Sequence, residues 1–131
     1  LNSNLPDPDN LKKTSTRTIA TIQSRINTQK HHFMNKAKGF ADGGNLRDAI
    51  LEAEKAKTID PYDYSIPNFI ESHRRELENQ MKLLYQESAI EEKFGNLNKS
   101  EEKWKVIIEK DIPSGEYYLK AKRKMQQYGR I

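Results

Sequence analysis

Two tripeptides constrain the fold of this chain more than any other feature. Gly44-Asn45-Leu46 and Gly95-Asn96-Leu97 match residue for residue, and Pro61 and Pro113 follow their glycines by 17 and 18 residues. A glycine after a run of helical periodicity stops the helix, because it takes the left-handed conformation without a Cβ penalty. Proline removes a backbone donor and pushes the residue before it out of helical geometry, so Asp60-Pro61 and Asp111-Ile112-Pro113 each end a further helix. Both halves therefore read as a long helix, a glycine turn, a shorter helix and a proline stop. A lone helix pair cannot bury its apolar seam, and stacking pairs is how such a chain gains a continuous core. The expected fold is all-α: antiparallel helix-turn-helix repeats, about five helices, with the first and third long.

The apolar spacing fills in this frame. Residues 1–10, with Pro6 and Pro8 among Asn and Asp, read as a flexible linker. From Asp9 or Asn10, or from Ser15 or Thr16, a first helix opens, and Ile19, Ile22, Ile26, Phe33, Ala37 and Phe40 recur at three, four or seven residues to form one seam. Asn45 can cap the second helix, whose face of Leu46, Ala49, Ile50, Ala53 and Ala56 lets another helix approach closely. Residues 60–67 are expected as a turn. A third helix then runs from about Asn68 to Phe94 with Ile70, His73, Leu77, Met81, Leu84 and Ser88 on one side. A fourth, Leu97 to Lys110, carries Trp104, Ile107 and Ile108. Ser114 and Glu116 open a fifth with Tyr117, Tyr118, Ala121, Met125 and Tyr128 on its face. The domain spans 11–131.

Of 131 residues, 34% are hydrophobic and 32% charged, which suits elements that bury one stripe each. The absence of cysteine excludes a disulfide framework, a thiolate nucleophile and a sulfur-ligated zinc site. It leaves the compartment open, with the cytoplasm favoured. No apolar run approaches the roughly 20 residues that span a bilayer, so no membrane insertion is expected within these residues. Leu1 in place of methionine leads to the expectation of a piece from a longer protein. The net charge of +4 is unevenly spread. Seven Lys/Arg stand against two Asp over residues 1–40, eleven against sixteen Asp/Glu over 41–112, and five against one over 113–131. Basic ends flank an acidic middle, a layout that suits either docking to acidic surfaces or attraction between neighbouring helices.

The first unit, residues 30–61, resembles a tetratricopeptide repeat, a helix-turn-helix family of about 34 residues per repeat. The resemblance rests on Ala37, Phe40, Gly44, Leu46, Ala49, Ala56 and Pro61, with Phe33 at the bulky position near the start. Lys36 and Ala53 depart from it. The second unit, 81–113, keeps Ser88, Trp104 and Ile107 but has Glu91 where an aromatic is usual and Ser100 where alanine is usual. Residues 114–129 are similar to the opening helix of a third unit or to a capping helix. The resemblance implies a concave groove lined by the first helix of each unit, which places His31, Met34, Asn35, Lys38 and Ala41, then Lys82, Tyr85, Gln86, Ala89 and Lys93, toward a partner peptide or helix.

Reactive chemistry is sparse. His31 and His32 diverge by about 100° on a helix and cannot face one ion, so no metal site is expected. Glu91-Glu92 and Glu101-Glu102 are pairs of a kind that surface helix faces carry routinely, and Gly43-Gly44 lacks the lysine of a phosphate loop. No catalytic residue and no cofactor is expected. The run Lys120, Lys122, Arg123 and Lys124, near Tyr117, Tyr118 and Tyr128, mixes charge with stacking rings and is the candidate for nucleic acid. The plainer account is that these cations complement a helix C-terminus while the tyrosines pack. The functional expectation is a non-catalytic protein-interaction or scaffold module that binds a partner peptide or helix, with self-association as a variant and nucleic-acid binding through the last helix as the alternative.

Overall fold

The computed structural model describes residues 8–131, with the side chains of 8–11 and 14 excepted. Five helices follow one another: α1 (Pro8–Asp42), α2 (Leu46–Ile59), α3 (Ser65–Lys93), α4 (Leu97–Lys110) and α5 (Glu116–Gln127), and no strand occurs among the described residues. The all-α expectation holds, and α1 and α3 are the long members at 35 and 29 residues.

The repetition in sequence is a repetition of backbone. Gly44 and Gly95 take φ of 81° and 77°. The Asn45 N–H donates to the Phe40 carbonyl and the Asn96 N–H to that of Glu91, both at 2.8 Å, while Gly44 and Gly95 donate to Ala41 and Glu92. This is the paired closure in which a left-handed glycine satisfies the last carbonyls of a helix. It occurs a third time at the end of α5, where Gly129 has φ 66° and Arg130 donates to Met125. Asn45 then caps α2, its side chain accepting from the Asp48 N–H at 3.2 Å. Asn96 uses its side chain differently, donating to Glu91 Oε2 at 2.9 Å, which gives the glutamate that departs from the repeat pattern a role in the turn.

Two boundaries differ from expectation. Of the linker expected over residues 1–10, the first seven lie outside the described residues, and from Pro8 the chain is already helical. Proline suits a first helical position, since its φ is preset and its missing N–H would have no partner there. Helix α3 begins at Ser65 rather than near Asn68, so Pro67 sits inside the first turn, where a missing donor is again harmless. Asp63 anchors that start by accepting from the Ser65 N–H at 3.0 Å and its hydroxyl at 2.6 Å, and the fully buried Ile66 is the reason to begin early.

Packing follows chain order. Helix α2 lies between α1 and α3, α4 between α3 and α5, and α3 also touches α5. Leu46, Ala49, Ile50, Ala53 and Ala56 are all buried, and the three alanines have no exposed surface. Small side chains here bring the helices close, and Met34, Ile66, Ile70, Leu77 and Met81 close around them. Helix α3 is divided between two partners. Its first half packs on α2, where Arg74 pairs with Glu54 at 3.2 Å; its second half packs on α4, where Glu87 pairs with Lys103 at 2.9 Å.

The second half of the core has a polar centre. Trp104 is 1% exposed, and its indole N–H donates to Ser88 Oγ at 3.0 Å; that hydroxyl donates to the Tyr85 carbonyl, and Ser100 Oγ donates to the Ser88 carbonyl. A buried indole needs an acceptor, which explains why a serine stands at the small-residue position 88.

Candidate functional site

The residues expected in a groove fall into three groups. His31, Asn35 and Lys38 on α1 are exposed, as are Lys82, Gln86, Ala89 and Lys93 on α3. Shifting α1 by 51 residues, from Gly44 to Gly95, overlays His31 on Lys82, Asn35 on Gln86 and Lys38 on Ala89, so these rows occupy matching faces of the two long helices. Met34 was expected among them and is not available: it is 8% exposed and belongs to the core. It lies one turn from the fully buried Ala37, on the side of α1 that meets the alanine face of α2.

Tyr85 is half-buried and joins α3 to α5. Its ring centroid lies 5.8 Å from that of Tyr117, and the Lys120 ammonium sits 5.7 Å and 5.3 Å from the two ring centres. Tyr85 also lines a depression of about 140 Å³ with Lys120, Arg123, Lys124 and Gln127. Tyr85, one of the residues expected in the groove, thus meets the basic run at one surface.

The cations of that surface are unequally committed. Lys124 binds Glu92 Oε2 at 2.9 Å, and Tyr128 donates to the same oxygen at 2.6 Å. Burial pulls the Glu92 carboxyl upward, but the hydrogen bonds from Tyr128 and Lys124 outweigh it and hold the group below its ordinary range. Lys120 binds Glu116 at 2.9 Å, and that hydrogen bond raises the ammonium above the usual lysine value. Lys122 and Arg123 are exposed, with no ion-pair partner among the described residues.

Other polar groups are occupied structurally. Asp111 lines a cavity of about 320 Å³ with Arg74, Glu78, Ser114 and Glu116, but both its oxygens accept backbone N–H groups, from Ile112 at 2.9 Å and Tyr118 at 3.2 Å. Burial raises its pKa, the two N–H groups pull it back, and Glu78 adds to the rise. His73 shares its Nδ1 with the Phe69 carbonyl at 2.8 Å and lies on the Phe69 ring. Among the described residues no group of three or more His, Asp or Glu is placed to hold a metal ion, and no helix is long and apolar enough to cross a membrane.

The structure also exposes apolar surface that the sequence pattern assigned to a seam or left unassigned. Ile19 and Ile22 are 67% and 51% exposed, and every described side chain from Lys12 to Arg25 faces solvent. Leu83 and Ile90 on α3 and Phe94 at its C-cap form an exposed row on the side opposite Met81; their spacing of seven and four residues was the available signal.

No family model, curated protein or solved structure matches this chain.

Proposed function

We propose that this chain is a tetratricopeptide-like, non-catalytic interaction module, serving as a scaffold or adaptor in a larger assembly, and that it binds an acidic peptide or helix across α3 and α5. The observation that carries the reading is the depression in which Tyr85 is flanked by Lys120, Arg123, Lys124 and Gln127. An aromatic ring under partly neutralised cations offers a partner both apolar contact and charge-assisted hydrogen bonds. Lys82, Gln86 and Lys93 extend the polar row along α3, and His31, Asn35 and Lys38 continue it on α1. The capping geometry shared by Gly44-Asn45 and Gly95-Asn96 supports the repeat relationship on which that row rests. Nucleic acid is the weaker reading, since Glu116 and Glu92 already hold Lys120 and Lys124, leaving Lys122 and Arg123 as the unpaired cations of the run. Two cations neutralise few phosphates.

Selection from a random peptide library tests this. Recovered peptides are expected to be acidic and to bind Tyr85→Ala and Arg123→Ala variants about tenfold more weakly, a change worth about 1.4 kcal/mol. Peptides that bind both variants as well as the parent chain refute the site.

A further inference from the structure

The first half of α1 stands in the position of a surface that is covered elsewhere in this molecule. The 51-residue shift that superposes the two glycine turns carries Ile19 onto Ile70, Ile22 onto His73 and Ile26 onto Leu77. Ile70 and Leu77 are 5% and 3% exposed because α2 lies across the first half of α3. Helix α1 has the same apolar register and no helix across it among the described residues, so Ile19 and Ile22 face water. At about 1.5 Å per residue, the 35 residues of α1 extend roughly 52 Å against about 21 Å for α2, which leaves more than half of α1 without a helix packed across it among the described residues.

Charge selects the occupant. Residues 10–41 contain seven Lys/Arg and no Asp or Glu. Lys30 is bound by Asp60 and Asp63, but Lys12, Lys13, Arg17 and Arg25 have no ion-pair partner among the described residues. A second copy of α1 would set like charge against like. A single nucleic-acid strand would find no aromatic ring to stack on between residues 12 and 30 and would leave the isoleucines idle. We infer that the first half of α1 is the docking site for a short, acidic amphipathic helix of a partner protein, which lies across Ile19, Ile22 and Ile26 as α2 lies across the first half of α3. This surface is separate from the Tyr85 depression and does not depend on it.

The probe is a fluorescent peptide with the sequence of residues 45–60 of this chain, the segment that fills the equivalent place on α3, made acidic by Lys55→Glu and Lys57→Glu. Fluorescence anisotropy is expected to show saturable binding to the full chain that weakens with added salt. A double variant, Ile19→Asp with Ile22→Asp, is expected to bind at least about tenfold more weakly. Both residues are exposed, so its circular dichroism and melting curve stay those of the parent. Arg17→Ala with Arg25→Ala weakens binding and reduces the salt dependence, and the effects of these changes and of the isoleucine changes persist in a Tyr85→Ala background, which separates this site from the depression on α3 and α5. Absence of binding, or binding indifferent to the isoleucine changes, overturns the inference. So does tight binding of a single-stranded RNA that needs Arg17 and Arg25 but survives Ile19→Asp.

Discussion

Ser88 shows how one hydroxyl can decide the fate of the largest side chain in the core. It accepts from Trp104 and donates to the Tyr85 carbonyl, and Ser100 binds its own carbonyl. Removing the hydroxyl leaves a buried indole N–H with no acceptor, a loss of about 1–3 kcal/mol. Ser88→Ala is therefore expected to lower the unfolding free energy measured by urea denaturation by that amount, with the tryptophan fluorescence reporting a disturbed environment. Ser100→Ala is expected to cost less, since the Ser88 carbonyl it serves sits within a helix. The small-residue position at Ser88 was legible in the sequence, but its reason was not. Periodicity says that a residue must be small; it does not say that an indole sixteen residues later will need an oxygen.

At the scale of the element, the start of α5 depends on a residue five positions before it. Gly115 occupies the cap position without a side chain to bond, and Asp111 supplies the missing acceptor by reaching the Tyr118 N–H. Gly115 has an ordinary φ of −67°, so space rather than backbone freedom requires it. A Cβ there would collide with the Asp111 carboxylate. Gly115→Ala is expected to displace that carboxylate and destabilise the fold by about 1–2 kcal/mol, the usual worth of a lost cap. Gly39, inside α1, meets nothing within 4 Å of its notional Cβ, and Gly39→Ala is expected to stabilise by about 0.5–1 kcal/mol. Chemical denaturation of the two variants checks both signs. The same element scale shows how far reading by pattern reaches. Helix α4 has the bounds expected from Gly95 and Pro113, because a strong stop lies on each side. The start of α3 was misjudged because Pro67 stops a helix only after its first turn. The meeting of Tyr85 with Lys120 and Arg123 could not be read at all, since helix periodicity carries no information on which neighbours a third helix will touch.

Across the whole molecule, part of the charge of the basic ends is matched to the acidic middle in specific pairs. Lys30 binds Asp60 and Asp63, Lys124 binds Glu92, and Arg130 binds Glu101 at 2.7 Å. These pairs set the pH response. The hydrogen bond from Ser65 and then that from Lys30 lower the Asp63 pKa, and Glu92 is likewise lowered, so their stabilisation is present above the ordinary values of 3.8 and 4.5 and is lost as pH falls through the folded-state values. Lys30, raised chiefly by Asp60 and then Asp63, and Lys124, raised by Glu92, stabilise below 10.5, and that contribution is lost as pH rises through their folded-state values. Asp111 has the opposite sign to the other carboxylates. Its raised pKa means that acidification through its folded-state value toward 3.8 strengthens the fold, an effect that begins before Glu92 and Asp63 start to weaken it below 4.5 and 3.8. A melting series across pH is expected to show a maximum on the acid side of neutrality, and Asp111→Asn is expected to abolish the rise between neutrality and that maximum.

The order in which the helices pack carries a kinetic consequence. Since α2 meets α1 and α3, α4 meets α3 and α5, and the remaining principal contact joins α3 with α5, assembly needs no encounter between remote parts of the chain. Topologies of that kind collapse and search quickly, so refolding belongs in the microsecond to millisecond range. Amide exchange would proceed in the reverse order of support, beginning at the solvent-exposed first half of α1 and finishing around Trp104.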